Sequence, residues 1–257
     1  MLEPAGAAVA ALLSMRLLGL VWTAPVFSAH TVPGSLKAGV TVLLTLLLWP
    51  SAMASGAGAT VTVPAIVSEL LVGITLGLGA AVFVAAAETA GDTIAVQMGL
   101  SGANVLEPFS RTQMPVLGQL LGLSAIALIL AAGGHLAMVL ALDLSLDALP
   151  LGGPLAAAEG ALGVVRLGGT LLWLGLRFAA PVVAAMMIGN VALGVMARTV
   201  PQLNVLVVAF PLQIGIGLFV LGATLPMLAS AFDMWDVRYE DTVSPLLERM
   251  DPGEAGG

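Results

Sequence analysis

RFAAPVVAAMMIGNVALGVMARTVPQLNVLVVAFPLQIGIG, residues 177–217, consists of two apolar arms around a compact polar hinge. The hinge runs from Ala197 to Asn204, and each arm carries a proline, Pro181 before it and Pro211 after it. A proline brings no N–H to the helix ladder and its ring crowds the preceding turn, so both arms are expected to kink or break. In lipid, the carbonyls that a kink frees need partners from neighbouring helices or a wet cavity. The unit therefore reads as a bent helical hairpin made to pack against other helices.

Composition places the rest of the chain in the same setting. Of 257 residues, 59% are hydrophobic and only 9% charged, against roughly 25% charged in soluble globular domains. Mean hydropathy is +1.08. These values describe an integral membrane protein. The formal charge of −7 is concentrated at one end, since seven of the fifteen acids follow Ala231. It marks a solvated tail and not a field for a basic partner. Eight basic residues leave no electrostatic footprint for nucleic acid. Cysteine is absent, which excludes disulfides, thiolate chemistry and Cys-ligated metals. The N-terminus has no cationic lead-in, with Glu3 ahead of apolar sequence, and reads as an uncleaved first hydrophobic segment.

Six apolar stretches stand out, at about 5–28, 36–52, 64–87, 116–142, 168–190 and 203–231. Each approaches or exceeds the roughly 20 residues that cross a bilayer as a helix. The expected fold is an all-α membrane protein of kinked helical hairpins. Residues 1–231 form one helical domain and 232–257 a polar tail, helical in part or disordered. Lys37, Arg111 and Arg198 fall at the first, third and fifth connections and Arg238 and Arg249 in the tail, too even a split to assign sides.

Several polar residues interrupt this pattern. Arg16 lies within LLSMRLLGL, where it is either a snorkelling residue near a helix end or one half of an inter-helix contact with an acid such as Glu69. An inter-helix polar contact is the better reading, with no particular partner named. Pro25 and Pro33 bracket a turn, and Pro25 marks a third kink. Residues 51–64, SAMASGAGATVTVP, read as a flexible loop. Gly73 and Gly77 have the small-xxx-small spacing that lets helices approach closely, and Gly118 and Gly122 fall on one face of the fourth segment. Glu88 and Asp92 stand one turn apart, as a solvated face or, less simply, a proton relay. The interval 88–115 is polar; its first part, 90–100, is a candidate extension of the preceding helix. Its second part, NVLEPFSRTQMP, carries Val105, Leu106, Phe109 and Met114 without helical period. Apolar side chains on an irregular loop need protein around them, or they line or block something. His135 reads as a structural residue near the end of its segment.

Several motifs resemble one family together. ARTVPQLNVLVVAFPLQI (197–214) is similar to the Arg-x-x-Pro-Gln-Leu-Asn and Phe-Pro-Leu signature of the FliR family, the R subunit of the flagellar type III export gate. APVFS (24–28), VPGSLKAG (32–39), QMGL (97–100), PVLGQ (115–119), GGH (133–135) and SLDALPLG (145–152) follow the same order, so the resemblance covers nearly the whole chain. It implies an export-gate R-subunit fold, in which a P-like portion joins a Q-like portion. It further implies a subunit of the protein export channel needed for flagellum assembly, multi-pass in the bacterial inner membrane at the flagellar basal body. The implied partners are the P and Q subunits, the B subunit, membrane lipid and exported proteins in transit, with much of the assembly above the bilayer. In such a subunit the loop at 104–115 would help plug the closed gate, with Phe109 the main obstruction; on its residues alone it reads equally as a surface cap. Arg198, Gln202 and Asn204 would fix the hinge by hydrogen bonds across subunits, and Pro201 would stop the helix.

Other classes are weaker. The chain has no HExxH, phosphate-binding loop or dinucleotide fingerprint, so no enzyme activity, cofactor or metal is expected. Gly99-Leu100-Ser101-Gly102 has the GxSG form of rhomboid-type intramembrane proteases, and His135 lies in the next apolar segment. Ser101 sits in a polar interval, however, and such a match is common in a chain with 31 glycines. A secondary transporter of a small solute would use broken helices around buried ions, and here the ionisable set is sparse: Arg16, Glu69, Arg166 and Arg177. The motifs fit the gate of a virulence secretion system as well as a flagellar one.

Overall fold

The computed structural model describes residues 4–28, 32–56, 59–100, 116–199 and 205–253. Among these the chain is helical, with no strand. The helices are α1 (Pro4–Thr23), α2 (Pro25–Ser28), α3 (Gly34–Ser55), α4 (Val63–Gln97), α5 (Val116–Ala131), α6 (Gly134–Ala148), α7 (Ala157–Thr199), α8 (Val205–Phe232) and α9 (Trp235–Met250). Five are long and apolar enough to cross a membrane, and α5 with α6, bent by 69°, makes a possible sixth span. That bend falls at Gly133, whose φ of +75° is open to glycine at no steric cost.

The helices are longer than hydropathy alone suggests. The third runs to Gln97, so residues 90–97 do extend it, and α3 runs through Pro50 to Ser55, into the stretch read as a loop. α7 takes in residues 157–167 ahead of the apolar fifth segment and reaches 43 residues, roughly 65 Å at 1.5 Å per residue. The surplus turns are rich in Ala and Gly, which are weakly apolar yet do not interrupt the ladder at their neighbours' expense.

Chain contacts divide the protein into two compact units. The first comprises Met1–Val82, Ile129–Thr170 and Met234–Gly257. Within it α1 packs on α3, α3 on α6, and α6 on α9. Leu12, Leu13, Leu17 and Leu20 of α1 are all buried. α1 also meets the first half of α4 through glycine. A Cβ at Gly19 would stand 2.6 Å from the Leu70 carbonyl oxygen, one at Gly73 would collide with the Arg16 carbonyl oxygen, and one at Gly77 with the Thr23 hydroxyl. The Gly73/Gly77 spacing thus serves a contact inside the chain.

The stretch read as a polar tail supplies α9 to this unit. Its acids are outward, and Trp235, Tyr239, Val243, Leu246, Leu247 and Met250 are buried at helical spacing. Trp235 and Tyr239 stack at 4.8 Å with 8° between ring planes. The Tyr239 hydroxyl donates to the Leu76 carbonyl at 3.0 Å, and burial pushes its pKa above the ordinary phenol value, so it remains a donor.

The second unit comprises Phe83–Leu128 and Leu171–Asp233. Here α4 and α5 approach through Gly91, Gly118 and Gly122: a Cβ at Gly91 would lie 2.5 Å from the Leu117 carbonyl oxygen, and one at Gly122 would lie 2.6 Å from Glu88 Oε1. Glu88 and Asp92 are otherwise exposed. The outer parts of α7 and α8 form the hairpin expected from residues 177–217.

These contacts give a direct test of the packing. Gly73→Ala would force α1 and α4 apart and is expected to cost about 1–3 kcal/mol, the usual penalty of overpacking. Gly169→Ala, with nothing within 4 Å of the added methyl, is expected to be neutral or mildly stabilising. Thermal melts of the two variants in detergent read the difference.

Candidate functional site

The first unit is closed by one buried polar cluster. Arg16 and Glu69 have side-chain exposures of 1% and 2%, and Arg16 Nε donates to Glu69 Oε2 at 2.6 Å. Arg16 Nη1 donates to the Ser145 carbonyl and to Ser145 Oγ, both at 2.9 Å, and Nη2 to the Leu149 carbonyl at 2.8 Å. Glu69 Oε1 accepts the Gly152 N–H at 2.8 Å. Burying two charges costs several kcal/mol per ion, and only excellent geometry with further hydrogen bonds offsets it. Both conditions hold. The guanidinium also caps the C-terminal carbonyls of α6, which carry the negative end of the helix dipole. A cavity of about 240 Å³ adjoins the pair and is bordered by Ser68, Pro154 and Asp251. The chemistry is that of a structural clamp, because each charge is spent on the other and on backbone.

The second unit carries the hairpin. Gln213 Nε2 of α8 donates to Asn190 Oδ1 of α7 at 2.8 Å, and the rings of Phe178 and Phe232 lie 6.2 Å apart. The end of α4 lies against the inner side of α8. A Cβ at Gly217 would be 2.5 Å from Met98 Cγ, and one at Gly99, whose φ is +74°, would be 3.2 Å from the Phe210 ring. Two of the quoted motifs, QMGL and FPLQ, are therefore in contact. Beyond them the hairpin is bare: Ile188 is 74% exposed, Val191 69% and Phe219 79%.

The expected site residues divide as follows. Val105, Leu106, Phe109 and Met114 lie outside the described residues, as do Pro201, Gln202, Asn204 and Ser101. Arg198 is exposed in the last turn of α7. Pro25 is buried at the first position of α2, just past the end of α1, where a missing N–H costs nothing. Pro181 and Pro211 sit inside α7 and α8, which continue through them. A small cavity of about 20 Å³ adjoins Pro181, Arg177 and Thr224. His135 is exposed on α6. No group of three or more potential metal ligands occurs among the described residues. Sequence reasoning missed Asn190 and Gln213, an amide pair in an apolar run that could have been flagged as two polar breaks. It also missed Ser145, Leu149 and Gly152, which act largely through backbone atoms and leave no side-chain signal.

Fold and geometry together define an all-α, multi-pass membrane protein whose first unit is clamped by Arg16 and Glu69 and whose second unit carries a hairpin with exposed apolar faces. The chain belongs to the family described as bacterial export proteins, family 1, which matches residues 7–235. It is 33% identical over 223 residues to the flagellar biosynthetic protein FliR of Escherichia coli (strain K12), covering 84% of this chain and 83% of that protein. It is 34% identical over 220 residues to FliR of Pectobacterium carotovorum subsp. carotovorum, covering 83% of each. FliR of Bacillus subtilis (strain 168) is 37% identical over 162 residues, 60% of each chain.

The clamp is open to a stability test. Glu69→Gln leaves Arg16 buried without its counter-charge and is expected to cost about 3–5 kcal/mol. The pair Arg16→Met with Glu69→Met should recover a large part of that loss in the same thermal melts. A single variant as stable as the parent would contradict the clamp.

Proposed function

We propose that this chain is a structural and gating subunit of the flagellar type III protein export channel. The observation that carries the reading is the match to flagellar export relatives over most of the chain. The bare hairpin supports it, since twenty or more apolar residues on a helix face bury equally well against protein or lipid.

In this reading the subunit assembles with the P and Q subunits around a shared conduit, with the B subunit outside, in the bacterial inner membrane at the flagellar basal body. It performs no catalysis. Exported proteins pass through the conduit, and the loop at 104–115, with Val105, Leu106, Phe109 and Met114, closes it at rest. The stem of that loop favours this role, because the QMGL end of α4 is seated against Phe210 of the hairpin. At the hairpin tip Pro201 ends the helix, and Gln202 and Asn204 hydrogen-bond to neighbouring subunits, with Arg198 at the base of the tip. A transporter of small solutes is disfavoured by the clamp, because Arg16 and Glu69 are consumed by each other and by backbone groups.

Co-purification decides the reading. A tagged chain extracted in mild detergent is expected to bring down P and Q subunits, and a chain that purifies alone and binds a solute would overturn it. Within the assembled gate, Phe109→Ala is expected to raise small-ion leak across the membrane while leaving the complex intact. Unchanged permeability would remove the plug.

A further inference from the structure

Asn190 is the only residue with a polar side chain between Arg177 and Arg198 of α7, and it is exposed. Met187 and Gly194 stand one turn away on either side, with Val191 next in the chain, and all three are exposed as well. Its partner on α8, Gln213, is likewise the only residue with a polar side chain from Val205 to Ala223.

The pair has a direction. Gln213 Nε2 donates to Asn190 Oδ1 at 2.8 Å. Gln213 Oε1 is turned to the end of α4, 3.5 Å from where a Cβ on Gly99 would stand. The oxygen of Asn190 is thus engaged within the chain, while its two Nδ2 N–H groups find no acceptor among the described residues. Space beside them is open, since a Cβ at Gly194 would meet nothing within 4 Å.

Those two donors say what covers this part of the hairpin. Water would satisfy them but leave Met187, 62% exposed, and Val191, 69%, as bare apolar surface. Hydrocarbon would cover the apolar side chains but offers no acceptor, and an unpaired amide there is costly. An apolar protein surface with one acceptor level with Asn190 meets both demands. A neutral oxygen suits it better than a carboxylate, whose burial among these side chains carries the larger desolvation cost. The gap at Gly194 lets another backbone come close enough to supply it. A single polar residue in an apolar helix interface also selects register, because any other alignment leaves its donors unpaired.

We propose that Asn190 is a specificity-determining contact of the hairpin. Its Nδ2 donates to a carbonyl or hydroxyl oxygen on an otherwise apolar helix of a neighbouring gate subunit, and the bond sets the register in which that helix docks. Gln213 is the positioning residue that holds the amide with its donors outward. This deepens the export-gate reading and rests on it for the identity of the neighbour.

Asn190→Asp separates the two bonds, since it keeps an oxygen for Gln213 Nε2 and removes the outward donors. Gln213→Met does the reverse. Each tagged chain is made together with the P and Q subunits and extracted in mild detergent, and the partner subunits recovered per tagged chain are measured. Asn190→Asp is expected to lower recovery about ten-fold against the parent, the effect of leaving an interface acceptor unpaired, and Gln213→Met to lower it less. If the amide only ties α7 to α8, the order reverses. A reversed order, or parental recovery with Asn190→Asp, overturns the proposal and leaves the export-gate reading standing. A second measurement does not depend on how well the aspartate variant folds: a benzophenone amino acid in place of Met187 in the assembled complex. An adduct with a P or Q subunit is expected, and adducts with lipid alone overturn the proposal. A parent chain that brings down neither subunit overturns the export-gate reading itself, and the proposal with it.

Discussion

A single guanidinium holds the first unit of this protein together. Arg16 reaches from α1 to Glu69 on α4 and to the last carbonyls of α6, and Glu69 in turn holds the Gly152 N–H ahead of α7. Neither charge could stay buried alone, so the elements must arrive together or not at all. The glycines at 19, 73 and 77 are the steric side of the same constraint. They let α1 and α4 come close enough for the side chains at 16 and 69 to meet. The first unit is therefore closed by its own residues.

The hairpin is the opposite case. Among the described residues α7 and α8 share the Asn190–Gln213 amide pair and the Phe178–Phe232 ring contact, and much of their outer surface is exposed. A large bare apolar surface on a helix marks an interface with protein or lipid.

How much of this could be read from the residues varies by element. Arg16 was legible as an inter-helix contact because an arginine amid leucines needs a partner, but which acid meets it was not, since no spacing singles out Glu69. Close packing at Gly73 and Gly77 followed from spacing. The other ends of the clamp were not legible, because the carbonyls of Ser145 and Leu149 and the N–H of Gly152 exist at every residue. α9 was obscured for a different reason. Its acids dominate composition, whereas its buried face emerges only when Trp235, Tyr239, Val243 and Leu246 are placed on a helix. Helix ends were underestimated where Ala and Gly lower hydropathy while still keeping their N–H groups in the ladder. Prolines 181 and 211 were expected to kink or break their arms, and the helices continue through both, since one missing hydrogen bond in a long packed helix does not end it.

The claim on which the account rests is that a sister subunit covers the outer face of α8. Its most direct measurement is photo-crosslinking in the purified assembly with a benzophenone amino acid in place of Phe219, the most exposed aromatic side chain of the hairpin. The account predicts an adduct with a neighbouring gate subunit, identified by mass. Adducts with lipid alone would contradict it.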